Sequence, residues 1–339
     1  MGASSDRLNF GVIGFRMGWT HASRLAALDG ATLAAVAEVN AEARPDAEQF
    51  GARFYTDYRQ MLTQERLDAV VVAVPHYLLA EIGRVCLEHG LHVLVEKPMA
   101  HTLEAARQLV ATAARVGRQL AVGYQWRCHP QTQRVKAMLV AGELGQVALA
   151  HAFWVNYAPE EYFQTAPWKG ERARGGGPTL LVASHVVDTF RYLLGEVTQV
   201  HTLFNKQRGR DVEDSAVVNL RFQGGTLASM VFGTAALNIP GHTRTFYLLG
   251  DRASVAYPPL VKAWYPWFSP HSFYRQREQA LAPTVRDIPV AGADPYTELL
   301  RNFCAAIRGE AVLACPGPDG LRTFEVLAEI IAQGDALLP

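Results

Sequence analysis

Apolar positions in the first third of the chain fall into short blocks separated by stretches with helical spacing. Leu8 to Ile13 is a short apolar run followed by Gly14 and Gly18. Thr20 to Leu28 places Leu25 and Leu28 at helical spacing with alanines between, and Gly30 closes it as a helix terminator does. Thr32 to Val39 reads as a second strand, and Glu42 to Phe50 as a polar helix that Gly51 stops. Leu67 to Val74 is apolar on both faces, the pattern of a central parallel strand. Leu78 to His89 reads as a helix, His92 to Val95 as a strand, Leu103 to Val116 as an amphipathic helix and Leu120 to Gly123 as a fifth strand. Such alternation over roughly 120 residues predicts a doubly wound parallel sheet.

From about His129 the texture changes. After one more helix, Thr132 to Val140, strand-like segments dominate: Val147 to Val155, Gln199 to Phe204, Ser215 to Phe222, Thr226 to Thr234 and Thr243 to Gly250. Their alternation suits an antiparallel sheet with one covered face. Leu180 to Leu194, Asp294 to Arg308 and Gly320 to Gln333 read as helices, and the aromatic- and proline-rich Tyr257 to Pro283 as a long irregular loop. The expected fold class is therefore α/β: a Rossmann-like domain over residues 1–126, then an α+β substrate and oligomerisation domain over 127–339 with a large, mostly antiparallel open sheet.

Composition narrows the function. Lys plus Arg and Asp plus Glu both number 32. That balance gives no electrostatic reason to expect nucleic acid or an anionic membrane as partner. Cys86, Cys128, Cys304 and Cys315 are scattered without a C-x-x-C pair, which speaks against a disulfide framework or a metal site. The N-terminus lacks a signal-peptide layout, and the longest apolar run, Ala69 to Val74, is far too short to span a membrane. A cytoplasmic protein is expected.

A dinucleotide fold needs glycines after its first strand, so that backbone approaches the pyrophosphate, and an acidic residue after the second strand for the ribose. Here the turn reads Gly14-Phe15-Arg16-Met17-Gly18, one glycine short of G-x-G-x-x-G, and Glu38 stands 24 positions beyond Gly14. A carboxylate there repels a 2′-phosphate and favours NAD over NADP.

Further residues carry a resemblance. Val74-Pro75-His76 follows the third strand and Glu96-Lys97-Pro98 the fourth. Gly175-Gly176-Gly177 then precedes Ser184-His185-Val186-Val187-Asp188 and Leu193-Leu194-Gly195. In this order they resemble the Gfo/Idh/MocA oxidoreductase family across nearly the whole chain. The resemblance implies an NAD(P)-dependent, NAD-preferring enzyme acting on CH–OH groups of a sugar, cyclitol or related polyol. It gives Lys97 and His185 the catalytic and substrate-binding roles. Gly14, Phe15, Arg16, Met17, Gly18, Glu38, Pro75, His76, Glu96 and Lys97 would hold the cofactor. It also implies a homodimer or homotetramer built through the second sheet.

The chain departs from the family where an aspartate usually stands four residues before the histidine; here Leu181 occupies that place. Asp188 is read as a brace for its helix rather than a replacement. Tyr124, Gln125 and Arg127 follow the fifth strand at the expected cleft mouth; Arg127 either grips a substrate oxygen or pairs across the domain junction. Trp154, Tyr157, Tyr162 and Trp168 either stack on a sugar ring or belong to core and interface, and Tyr157 or Tyr162 is a candidate replacement acid. Two rival readings remain: a non-catalytic binder of dinucleotide or sugar, and a hydrolase or lyase using tightly held NAD.

Overall fold

The computed structural model describes residues 7–237, 244–258, 261–264, 284–292 and 294–338. Its strands are β1 (Leu8–Ile13), β2 (Ala31–Ala37), β3 (Arg53–Tyr55), β4 (Ala69–Val72), β5 (His92–Val95), β6 (Leu120–Val122), β7 (Val147–Val155), β8 (Val197–Asn205), β9 (Ser215–Phe222), β10 (Leu227–Gly233), β11 (Arg244–Gly250), β12 (Ser254–Tyr257), β13 (Val261–Trp264) and β14 (Thr284–Asp287). The helices are α1 (Gly18–Ala26), α2 (Arg44–Glu48), α3 (Tyr58–Gln64), α4 (His76–Glu88), α5 (Leu103–Val116), α6 (Pro130–Val140), α7 (Glu160–Gln164), α8 (Ser184–Leu194), α9 (Pro295–Ile307) and α10 (Gly317–Ala336).

Six parallel strands form the first sheet in the order β3-β2-β1-β4-β5-β6. Ala69, Val70, Val71 and Val72 of β4 are all fully buried, as a strand covered on both faces requires. Strand order reverses between β1 and β4, so the crevice beyond their carboxyl ends is the place where such sheets bind ligands.

The second sheet has eight strands in the order β14-β13-β12-β11-β7-β10-β9-β8. Its pairs are antiparallel except β7 with β10. Inward residues such as Val218, Leu220, Met230 and Phe246 are buried, while Leu203, Val217, Leu227 and Leu249 on the outer face are exposed. Helix α10 packs on β8, and Phe190 of α8 meets Phe222 and Phe246 on the inner side. The closing helices also return to the first sheet: α9 packs on α1, and α10 on α5 and β6.

One expectation changes, and one unassigned segment is filled. Val261–Trp264 is strand β13, not loop, because it pairs with both β12 and β14 and so extends the sheet; the rest of that aromatic stretch beyond Pro258 lies outside the described residues. The segment 50–66 holds β3 and α3, elements too short to leave a periodic signal.

Candidate active site

A cavity of about 1240 Å³ opens at the strand-order reversal and is roofed by the second sheet. Gly14 to Met17, Glu38, Pro75, His76, Glu96 and Lys97 line one side; Trp154, Leu181, His185 and Arg244 line the other.

The shortened glycine turn is open to an anion. Gly14 has φ +82°, and a Cβ there would sit 2.6 Å from the Ala73 carbonyl oxygen, so only glycine lets β1 and the end of β4 meet. Gly18 does not line the cavity; a Cβ on it would meet Val12 Cγ1 at 2.7 Å, which makes it the close-packing glycine of α1. Phe15 does not obstruct the turn, since its ring is buried in the apolar core. The amides of Arg16 and Met17 donate to no acceptor among the described residues and stand at the N-terminus of α1. Free amides at a helix start suit a pyrophosphate. Glu38 closes the turn from β2, its Oε2 accepting from the Phe15 amide at 2.7 Å and its Oε1 from Asn40 at 3.1 Å. These residues fit a dinucleotide.

At the end of β5 the buried Glu96 accepts from His21 Nε2 at 2.7 Å through Oε1, and its Oε2 accepts from the Lys97 amide at 3.1 Å. Burial pushes the Glu96 carboxyl up, but the His21 hydrogen bond and the His21 and Lys97 charges outweigh it and hold the group below its ordinary value. Lys97 Nζ donates to the Leu181 carbonyl at 3.0 Å. Burial lowers its ammonium to about 8, against the opposing pull of Glu96. His76 begins α4 and donates Nδ1–H to the Gly175 carbonyl at 2.7 Å, joining the two halves. Burial first, then the Lys97 charge, lowers it to about 3.

Across the cavity, a π-helical turn, Thr179–Ala183, leads into α8. Such turns aim backbone groups irregularly and recur at functional sites. Here the turn supplies the Leu181 carbonyl to Lys97, so position 181 contributes backbone where a carboxylate was expected. His185 stacks on Trp154 with ring centroids 5.5 Å apart, and its Nδ1 is buried without a partner. Burial, the Lys97 charge and Arg244 together push its imidazolium well below the ordinary range, so the ring is neutral near pH 7.

Two expected substrate contacts fall outside the cavity lining. Arg127 is spent on carboxylates: it bonds both oxygens of the buried Asp188 (2.8 and 2.6 Å) and also pairs with the half-buried Asp319. Of its two readings, pairing at the junction is the one the structure shows, and Asp188 is the brace it pairs with. Tyr124 is buried, with its ring edge-on to His185 at 6.4 Å between centroids and its hydroxyl unpartnered. Its reach is to the His185 ring, not to the open cavity. Trp154, Tyr162 and Trp168 line the cavity, whereas Tyr157 does not.

Four lining or supporting residues carried no motif: His21, Lys169, Arg244 and Tyr296. For His21 a signal existed, since it shares the buried face of α1 with Gly18, Ala22 and Leu25. Lys169 lies over the Tyr162 ring at 3.5 Å; burial and then the Arg16 charge lower it to about 8. It sits in a short turn without periodicity.

Comparison with known proteins agrees with this geometry. Residues 8–124 match the oxidoreductase family with an NAD-binding Rossmann fold, and residues 132–256 match the GFO/IDH/MocA C-terminal domain. The chain is 30% identical over 271 residues to inositol 2-dehydrogenase of Rubrobacter xylanophilus, covering 78% of this chain and 75% of the relative. It is 28% identical to 1,5-anhydro-D-fructose reductase of Ensifer adhaerens, over 83% and 82% of the two chains. The WlbA dehydrogenase of Bordetella pertussis, solved with NADH and UDP-GlcNAcA, shares the fold at a TM-score of 0.83 and 24% identity, over 99% of this chain and 98% of that one. The chain belongs to the Gfo/Idh/MocA oxidoreductase family, whose NAD-binding domain is its first sheet.

Proposed function

We propose that this protein oxidises or reduces a secondary alcohol of a sugar, cyclitol or related polyol, using NAD in preference to NADP. The observation that carries the reading is one cavity bounded at one end by the open Gly14 turn and at the other by Lys97 and His185. NAD, when bound, supplies the acceptor for the hydrogen leaving the carbinol carbon. The Arg16 and Met17 amides would hold its pyrophosphate and Glu38 its ribose, with Pro75, His76 and Glu96 around the rest. Lys97 Nζ takes the hydroxyl proton. With a pKa of about 8, a useful share of the amine is neutral near pH 7. His185, already neutral, orients the same hydroxyl. Relatives acting on inositol and anhydrofructose support the substrate class.

The test is nicotinamide absorbance with a panel of cyclitols, sugars and anhydrosugars in both directions. Turnover that Lys97→Ala abolishes supports the reading. Turnover unchanged in that variant, or absent with every compound, overturns it.

A second reading is favoured by Leu181, whose apolar side chain lines the cavity beside His185: ligand binding without turnover. Leu181→Asp conferring turnover on an inert wild type would select it. The reading extends to assembly and location. Leu149, Leu203, Val217, Leu227, Tyr247 and Leu249 are exposed on neighbouring strands of the second sheet, an apolar face that suits a second copy. All four cysteines are free, in keeping with the cytoplasm. No helix among the described residues is long and apolar enough to cross a membrane.

A further inference from the structure

Charge is divided unevenly across the cavity. Its lining carboxylates, Glu38, Asp57, Glu81 and Glu96, all belong to the first sheet and its connections. Lining residues from Gln125 onward contribute Lys169, Arg174 and Arg244 and no carboxylate among the described residues. Nor are the nearer acids free to answer them. Glu96 is bonded to His21, and Glu38 is bonded to the Phe15 and Asn40 amides. Arg174 pairs with Glu171, and Lys169 lies on the Tyr162 ring within the influence of Arg16, at the turn end of the cavity.

Arg244 differs. It pairs with no carboxylate among the described residues, and the β11–β7 register sets it directly opposite Trp154. Its guanidinium lies 4.8 Å from the centre of the Trp154 ring, and that ring stacks on His185. An aromatic face fixes the plane of the guanidinium and leaves its N–H edge free. The edge of a fixed guanidinium matches the two oxygens of a carboxylate.

We propose that the substrate carries a carboxylate, which Arg244 binds above Trp154 while Lys97 and His185 serve the reacting hydroxyl. The proposal rests on the oxidoreductase reading of this cavity and narrows its substrate to polyhydroxy acids such as uronates. Phosphate sugars fit less well: among the described residues Arg244 is the one cation held on Trp154, and Lys97 is engaged at the reacting hydroxyl.

The NAD-loaded protein is titrated with D-glucuronate, D-glucose and glucose 6-phosphate, reading tryptophan fluorescence and NADH formation. The expected result is glucuronate binding about tenfold or more tighter than glucose, a gap of ~1.4 kcal/mol, weakening as salt is added. Arg244→Gln should erase that gap while the NADH dissociation constant holds. Equal binding of glucose, preference for glucose 6-phosphate, an Arg244→Gln variant that keeps its preference, or binding of none of the three overturns the proposal. Glucuronate bound through Arg244 without NADH formation upholds the site and sinks the turnover. NADH formed equally from glucose does the reverse.

Discussion

Two neighbouring strands of the first sheet end in cations with opposite fates, one half-buried and one buried. After β5 comes Lys97, whose ammonium donates to a carbonyl, that of Leu181. After β6 comes Arg127, held by Asp188, Asp319 and the Ala314 carbonyl. Both follow apolar strands and both approach α8. One keeps a proton it can exchange near neutral pH, because burial disfavours its charge and the one acid acting on it, Glu96, is bound to His21. The other is locked as a charge by two carboxylates and fastens the short 3₁₀ turn at Gln125–Cys128 to α8 and α10. The partners around a desolvated cation, more than its strand-end position, decide whether its proton is loosened or its charge is fixed.

Lys97→Ala should break the comparison most visibly, lowering turnover by ~10²–10⁴-fold with unchanged circular dichroism and melting; near-normal kcat would show that the proton leaves by another route. Next, Arg127→Ala strands Asp188 in the core and should cost about 3–5 kcal/mol of stability in urea unfolding; a variant of normal stability and poor substrate affinity would return Arg127 to the site. A smaller effect is expected at His21, where replacement by Ala removes one donor from buried Glu96 and should cost about 1–3 kcal/mol. Thermal unfolding measures it, and no shift would mean that Glu96 finds another donor. The finest test is the pH profile. The neutral amine is the proton acceptor, so kcat/KM for oxidation should rise by about tenfold per unit up to roughly pH 8 and then level. The reductive direction should fall above the same point, and a flat profile in both would remove Lys97 from the proton path.

Much of the fold was legible because its signals are local. The strand β5, the helix α5 and the strand β9 have the bounds that their periodicity predicts. β3, only three residues long, and the π-helical turn before α8 left no such signal. The site divided in the same way. Gly14, Glu38, Lys97 and His185 stand in recognisable turns and motifs, and all line the cavity. Arg244 and Lys169 do not, because a sheet register and a chain reversal bring them there from far along the sequence. Arg127 was ambiguous for a physical reason: a sequence displays the cation but not the two carboxylates that fold against it.

The most direct test of the central claim is a titration of cofactor-free protein with NADH and NADPH, followed by energy transfer from tryptophan to the nicotinamide. Saturable NADH binding is expected, with NADPH weaker by about tenfold or more, as the Glu38 carboxylate repels the 2′-phosphate. Binding of neither would contradict it, by showing that the five-residue turn from Gly14 to Gly18 does not accept a dinucleotide.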